Sequence, residues 1–343
     1  MGGESSTSGR RILRIAGQGI AGLLGLAVLA ELGLRLLVGL GAPPLLRADA
    51  EIGYLFQANQ ERTRFTNRIY INEYHQRSGD VVLADSSRFA RILFLGDSIT
   101  WGGALTDQSE TYPELFEDRL GARCDRPVET LNASAGSWSV GNLRAYAERF
   151  GFFGSDLVVL QIGEGDLTQP TSDSSGVGNL CSLPRRSPTL ALQEFAKCYR
   201  PRVTSRLAAW VETEERSGGS RTESSSPEVS EREQRQFQTN LDHLRVLVNS
   251  VRAAGKPVAI FYHPDRSSVR SEEDPPPVLY RKFRTWTENR EVPVLDMQVE
   301  WKGKSGVEKY YRDHIHLNER GNAVVARHLA AFVREHHFPL CRP

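Results

Sequence analysis

The chain has 343 residues, of which 25% are charged, and its net charge is +1 with histidine neutral. That length suits one large domain or two small ones. The near-balance of charge gives no global field for nucleic acid or for an acidic partner, so nucleic acid is set aside.

The first forty residues stand apart. Arg10, Arg11 and Arg14 precede an apolar run from Ile15 to Ala30, followed by Glu31, Arg35 and further leucines to Leu40. The uncharged part is about a bilayer wide if its flanks tilt or snorkel. Glu31 and Arg35, four apart on a helix, can neutralise one another. The arginines ahead of the run put the N-terminus in the cytoplasm and the remainder across the membrane. Gly41-Ala42-Pro43-Pro44 is an awkward peptidase site. Residues 1–42 therefore read as a cytoplasmic tail and an uncleaved single-pass anchor, with a cleaved signal peptide as the alternative. Within the run, Gly17-Gln18-Gly19-Ile20-Ala21-Gly22 spells the dinucleotide-binding pattern. That pattern needs a strand before it, whereas here an arginine-rich tail precedes it and a membrane-length run contains it. No cofactor is expected.

Residues 43–90 form short alternating stretches without a long helical period, a membrane-proximal extension. From Arg91 the rhythm changes. "RILFLG" is a buried-strand run and "ETYPELFEDRLGARC" an amphipathic helix; "PVETLNASAG" is a second strand, "LRAYAERFGFF" a helix and "SDLVVLQIGEGD" a third strand. Residues 168–234 interrupt this rhythm with loop-like and Ser/Glu/Arg-rich sequence, an insertion expected to be partly disordered, with a helical piece around Leu190 to Trp210. Regular structure returns with a long amphipathic helix, a strand from Val258 to Tyr262, a fifth strand at "VPVLDM" and a closing helix that Asn318 can cap. Strands alternating with helices imply an α/β domain over 91–343, a parallel sheet covered on both faces. The four cysteines, 124, 181, 198 and 341, are an even number in a chain expected to be exported; Cys181 and Cys198 bracket a short segment and could close it.

In an open parallel sheet, ligands gather beyond the carboxyl ends of the strands. Gly96-Asp97-Ser98, Ala135-Gly136-Ser137 and Gly163-Glu164-Gly165-Asp166 all lie just past such ends. A serine hydroxyl needs a base to take its proton, and the base needs an orienting acid. Asp313 and His316, three apart before the last helix, are the best pair: the carboxylate can meet the imidazole Nδ1 and leave Nε2 for Ser98. His314 points elsewhere in this reading, and a metal held by Asp313, His314 and His316 has no obvious further ligands. His263-Pro264-Asp265 is a rival pair after the fourth strand. His336 and His337 read as solvated.

Gly96-Asp97-Ser98-Ile99, Asn132-Ala133-Ser134-Ala135-Gly136 and Asp313-x-x-His316, in this order, resemble the SGNH (GDSL) hydrolase family over about Arg91 to Arg334. The resemblance implies a flavodoxin-like three-layer sandwich with a parallel sheet. It makes Ser98 the nucleophile, His316 the general base and Asp313 its orienter, with the N–H groups of Ser98 and Gly136 as the oxyanion hole. The family's third donor, an Asn, is absent as spelled, because Gly165 occupies its slot. Asn142, Gln161, Gln169 or a water could fill that slot; Glu164 is a poor substitute because an ionised carboxylate repels an oxyanion.

The anchor and the "EIGY…N" extension resemble membrane-anchored bacterial members of the family. The implied function is a serine esterase or deacylase acting through an acyl-enzyme on an extracytoplasmic ester, an O-acylated glycan or a lipid-like ester. Transfer of an acyl group to a polysaccharide, and a non-catalytic envelope binding protein on the same fold, are the alternatives. The oligomeric state is not legible.

Overall fold

The computed structural model describes residues 5–83, 88–200, 229–270 and 277–341. The chain divides into two compact units. One holds the N-terminal helix as far as Pro43, Thr63–Thr66 and the stretch beginning at Ser187. The other holds Pro44–Arg62, Asn67–Arg186 and the C-terminal part of the chain.

In the first unit a helix spans Ser5–Gly33 and runs into a π-helical turn, Leu34–Val38, that ends on Gly39 in the left-handed conformation. Leu13–Val38 is long and apolar enough to cross a membrane, and its side chains are not buried within the protein. Glu31 and Arg35 pair at 2.5 Å, as the spacing predicts. Glu31 does more than neutralise: its carboxylate accepts the N–H groups of Ala191 and Leu192, capping the short helix Ala191–Glu194. A carboxylate is well placed there, against unpaired N–H groups at a positive helix end. Glu194 in turn accepts from Arg64 at 2.6 Å and from the N–H of Gly41 at 2.6 Å. The helical piece expected from Leu190 is thus present as Ala191–Glu194 followed by a π turn, Phe195–Tyr199. Residues 201–228, which carry the rest of that piece and most of the Ser/Glu/Arg-rich stretch, lie outside the described residues.

The second unit opens with short strands. β1 (Leu46–Asp49) pairs antiparallel with β2 (Gly53–Phe56), and β3 (Gln60–Arg64), whose last two residues are counted with the first unit, forms another two-stranded sheet with β4 (Asn67–Ile71). The main sheet has five parallel strands: β5 (Ala90–Gly96), β6 (Val128–Ser134), β7 (Leu157–Gly163), β8 (Val258–His263) and β9 (Val294–Asp296). Their spatial order is β6-β5-β7-β8-β9. This is the flavodoxin-like order, whose switch point lies where chain direction across the sheet reverses, at β5.

Every residue of β5 is buried, so its sequence is a continuous apolar run with one exception, Arg91. Arg91 is satisfied inside by the carboxylate of Glu129 and by the carbonyls of Phe153 and Val82. Successive β5 side chains point to opposite faces. Ile92 and Phe94 pack with Tyr112, Phe116, Val325 and Leu329 on one side, whereas Leu93 and Leu95 pack with Leu143, Tyr146, Leu241 and Leu244 on the other. The first set belongs to helices Tyr112–Gly121 and Glu319–Glu335, the second to Val140–Phe150 and Glu231–Ala253. The three layers follow from that alternation. Asn318 caps the last helix by accepting from the N–H of Gly321 at 3.0 Å. A disulfide joins Cys124 to Cys341, with the Cα atoms 4.8 Å apart, and Cys181 and Cys198 are also disulfide-bonded.

Candidate active site

Register brings the first two loops together. Gly96 of β5 lies opposite Ser134 of β6, so Ser98 and Gly136 each stand two residues beyond the same rung. The corner at Gly96 is tight: a Cβ there would come within 2.0 Å of Thr100 Oγ1 and 2.8 Å of Gln161 Oε1. No side chain other than hydrogen fits. Asp97 then caps the short helix Ser98–Trp101, its carboxylate accepting from the N–H of Ile99 at 2.7 Å. Gln161, fully buried on β7, accepts from the N–H of Asp97 and from the hydroxyl of Thr100, both at 3.0 Å. The apolar strand therefore ends in a corner whose backbone is held from both sides, and Ser98 is its first helical residue.

The loop before the last helix supplies the partners. An isolated bridge between Tyr311 and Leu317 and a bond from Arg312 N–H to the His316 carbonyl close it. Within it, Asp313 Oδ1 accepts from the N–H groups of Ile315 and His316 at 2.9 and 2.8 Å. Its Oδ2 is left for His316 Nδ1, at 2.8 Å. The three-residue spacing is what allows one carboxylate to serve both backbone and imidazole. With Nδ1 donating to the carboxylate, Nε2 is the acceptor, and it lies 2.9 Å from Ser98 Oγ. Burial acts to raise the Asp313 carboxyl, but the two N–H donors and His316 outweigh it and hold the group at about 2. Asp313 is therefore an anion at any ordinary pH. Ser98, His316 and Asp313 are brought together across 218 residues of sequence between the first two.

The other histidines are elsewhere. His314 is exposed. His263 is fully buried among Phe261, Trp301 and Tyr311, and its Nε2 meets the carbonyl of Ile315 at 2.9 Å. Burial lowers its pKa to about 4, so it is neutral. The rival pair His263 and Asp265 does not face Ser98 through this ring; His263 instead supports the loop that carries His316. Asp265 is pushed up to about 6 by burial and by Glu164. Among the described residues no group of three or more His, Cys, Asp or Glu side chains could hold a metal ion.

Gly165 begins a one-turn 3-10 helix after β7, and a Cβ there would meet nothing within 4 Å. Two candidates for the donor in this slot, Asn142 and Gln169, have other partners. Asn142 is the third residue of the helix that Ser139 caps; its amide nitrogen donates to the carbonyls of Ile52 and Ser172, and its oxygen accepts from the N–H groups of Ser139 and Ser172. Gln169 donates to the carbonyl of Ser137 at 2.6 Å. Gln161 Nε2 has no partner but is sealed beneath the corner. Glu164 is turned away, accepting from Ser268 Oγ at 2.5 Å and from the N–H of Asp265 at 3.3 Å. The 3-10 turn itself is pinned by Asn240, which donates to the carbonyls of Asp166 and Gln169. Asp166 and Asp97 are buried near one another, and burial pushes both carboxyls up.

The GDSL-like lipase/acylhydrolase family model matches residues 94–324. No curated relative matches the chain. Similar solved structures include the acetyl xylan esterase AlAXEase, at 14% identity over 71% of this chain and 99% of that one, with a TM-score of 0.43. TesA is 14% identical over 73% of this chain and 99% of that one, TM-score 0.42. A lipase/acylhydrolase from Enterococcus faecalis is 14% identical over 72% and 96%, TM-score 0.42. With a family match over most of its length, the chain belongs to the GDSL-like lipase/acylhydrolase family and is an ester hydrolase of the serine type.

Proposed function

We propose that the protein cleaves an acyl ester outside the cytoplasm through a covalent intermediate on Ser98, from a domain tethered by the Leu13–Val38 helix. The single observation that carries this reading is the unbroken line from Asp313 Oδ2 through His316 to Ser98 Oγ, with links of 2.8 and 2.9 Å. These are the distances a poised nucleophile, base and orienter require.

Ser98 Oγ attacks the ester carbonyl while His316 Nε2 takes the hydroxyl proton. Asp313, already ionised, holds the imidazole in the right tautomer and stabilises the imidazolium. The carbonyl oxygen becomes an oxyanion facing the N–H groups of Ser98 and Gly136. Collapse breaks the ester C–O bond, and His316 returns the proton to the leaving alcohol. Water then repeats the sequence on the acyl-enzyme, releasing the carboxylic acid and restoring Ser98. The substrate class proposed is an O-acylated glycan or a lipid-like ester on the far side of the membrane.

The test uses the full chain in detergent. A fluorophosphonate probe should label the wild-type protein and not Ser98→Ala, and the same substitution should abolish release of acetate from an activated acetyl ester. Labelling that survives Ser98→Ala would overturn the assignment. Adding an oligosaccharide distinguishes the fate of the acyl group, since an acetylated sugar product would mean transfer rather than hydrolysis. Alkali extraction of membranes tests the tether, which predicts that the full-length chain stays with the lipid.

A further inference from the structure

The segment Ile52-Gly53-Tyr54 belongs to β2 and its approach, outside the catalytic sheet, yet it closes on the loop that carries Gly136. The hydroxyl of Tyr54 donates to the Gly136 carbonyl. The indole Nε1 of Trp138 donates back to the Tyr54 carbonyl at 3.1 Å. Asn142, one helical turn further on, donates to the carbonyl of Ile52 at 2.7 Å. Gly53 lies between them with φ +89°, and a Cβ there would come within 2.2 Å of the Ser172 carbonyl. The close approach leaves room for glycine alone. Ser137, next to Gly136, has φ +62°, an uncommon conformation for a residue with a side chain, and persists only where its surroundings over-determine it. Its carbonyl accepts from Gln169 at 2.6 Å and from Ser172 Oγ. Successive carbonyls of one strained turn are thus each held by a named donor.

We propose that Tyr54 is a positioning residue for the reaction: by holding the Gly136 carbonyl out of the site, it keeps that turn in the one conformation that leaves the Gly136 N–H free to meet the oxyanion. This rests on the reading of Gly136 as an oxyanion donor given above. The tethered carbonyl lies on the peptide that joins Gly136 to Ser137, so losing the phenol hydroxyl would release the Gly136 backbone torsions and let the preceding peptide, which carries the Gly136 N–H, tilt away from the developing charge, whose stabilisation depends on preorganised donors. Tyr54 is itself buried, which raises its pKa and keeps it a donor.

The experiment compares wild type with Tyr54→Phe in the full detergent-solubilised chain, reading kcat and KM on an activated acetyl ester, the thermal midpoint, and inhibition by an alkyl boronic acid. The boronate forms a tetrahedral adduct on a serine and so reports the oxyanion site, which ground-state binding does not. The expected result is a fall in kcat of about 10- to 100-fold, the scale of a displacement near 1 Å. Boronate affinity should fall in parallel, with KM little changed. If Tyr54→Phe fails to fold, Ser172→Ala removes a neighbouring donor from the rim of the turn and should move kcat and boronate affinity the same way by less. Unchanged kcat in a Ser98-dependent enzyme overturns this inference alone, as does a fall in kcat that spares boronate affinity. Turnover or labelling that ignores Ser98 overturns the acyl-enzyme reading and this one with it.

Discussion

His263 places its Nε2 2.9 Å from the carbonyl of Ile315, the residue immediately before the imidazole that faces Ser98. A carbonyl only accepts, so Nε2 carries the proton and the ring acts as a strut under the His316 loop. His316→Ala is expected to abolish turnover. His263→Ala should retain part of it and lose about 1–3 kcal/mol of stability, the range for a buried acceptor left unpaired. Steady-state kinetics and urea unfolding on the two variants check both outcomes.

The same ring gives a pH dependence of stability. Burial holds His263 at about 4 against an ordinary value of 6.5. The neutral form is favoured in the folded state, so its contribution is present above pH 6.5 and lost as pH falls toward about 4. Thermal midpoints should decline through that window in the wild type and less steeply in His263→Ala.

Glu117 should behave in the opposite sense. It lines a recess of about 590 Å³ together with Asp80, Asp107, Glu114 and Glu129. Burial, partly offset by hydrogen bonds from Thr130 and aided by the neighbouring carboxylates, raises it from 4.5 to about 7. The protonated form is favoured on folding, so its contribution is full below pH 4.5 and lost as pH rises through 7. Glu117→Gln keeps an oxygen for the Thr130 donors and removes the charge. It should raise the thermal midpoint at pH 8 and leave it nearly unchanged at low pH, as scanning calorimetry at the two values would register.

Gly165→Asn tests the oxyanion slot. A Cβ at 165 has open space, and Asn142 and Gln169 have other partners. A restored amide should raise kcat, by up to about 10²-fold if it reaches the developing oxyanion. A rate that stays level would mean that the amide does not aim at that oxygen.

Gly96→Ala should damage the fold and the site together. The added methyl would press within 2.0 Å of Thr100 Oγ1, where Thr100 and Gln161 have no room to yield. Overpacking of this kind typically destabilises by about 1–3 kcal/mol. Chemical unfolding would show the loss.

Most of the fold was legible because the chain alternates strongly apolar strands with amphipathic helices, and period reports local structure directly. Three strands of the main sheet fall within the stretches that their apolar runs mark, and the other two, Ala90–Gly96 and Val258–His263, overrun theirs by one residue each. The helix expected at "LRAYAERFGFF" begins earlier, at Val140, because Ser139 and Asn142 form a reciprocal cap that hydrophobic spacing does not reveal. The candidate site was legible where its chemistry is carried by adjacent residues, as in the Asp313-x-x-His316 loop. The strut role of His263 was not, since it depends on a carbonyl 52 residues away. Nor was the destination of Tyr54: "EIGY" offers a glycine beside an aromatic residue, and only the three-dimensional path shows that Ser172 passes over the first and Gly136 meets the second.

The clasp at Ile52–Tyr54 also bears on where the chain can be trimmed to remove the N-terminal helix. Trimming to the first strand of the parallel sheet would look natural, because recognisable homology begins there. Such a fragment would lack the phenol, the glycine and the carbonyls that grip the neighbouring turn, so the smallest useful soluble version should begin near Pro44. Anyone preparing crystals or screening substrates with a shorter piece would be working without those contacts to the Gly136 turn.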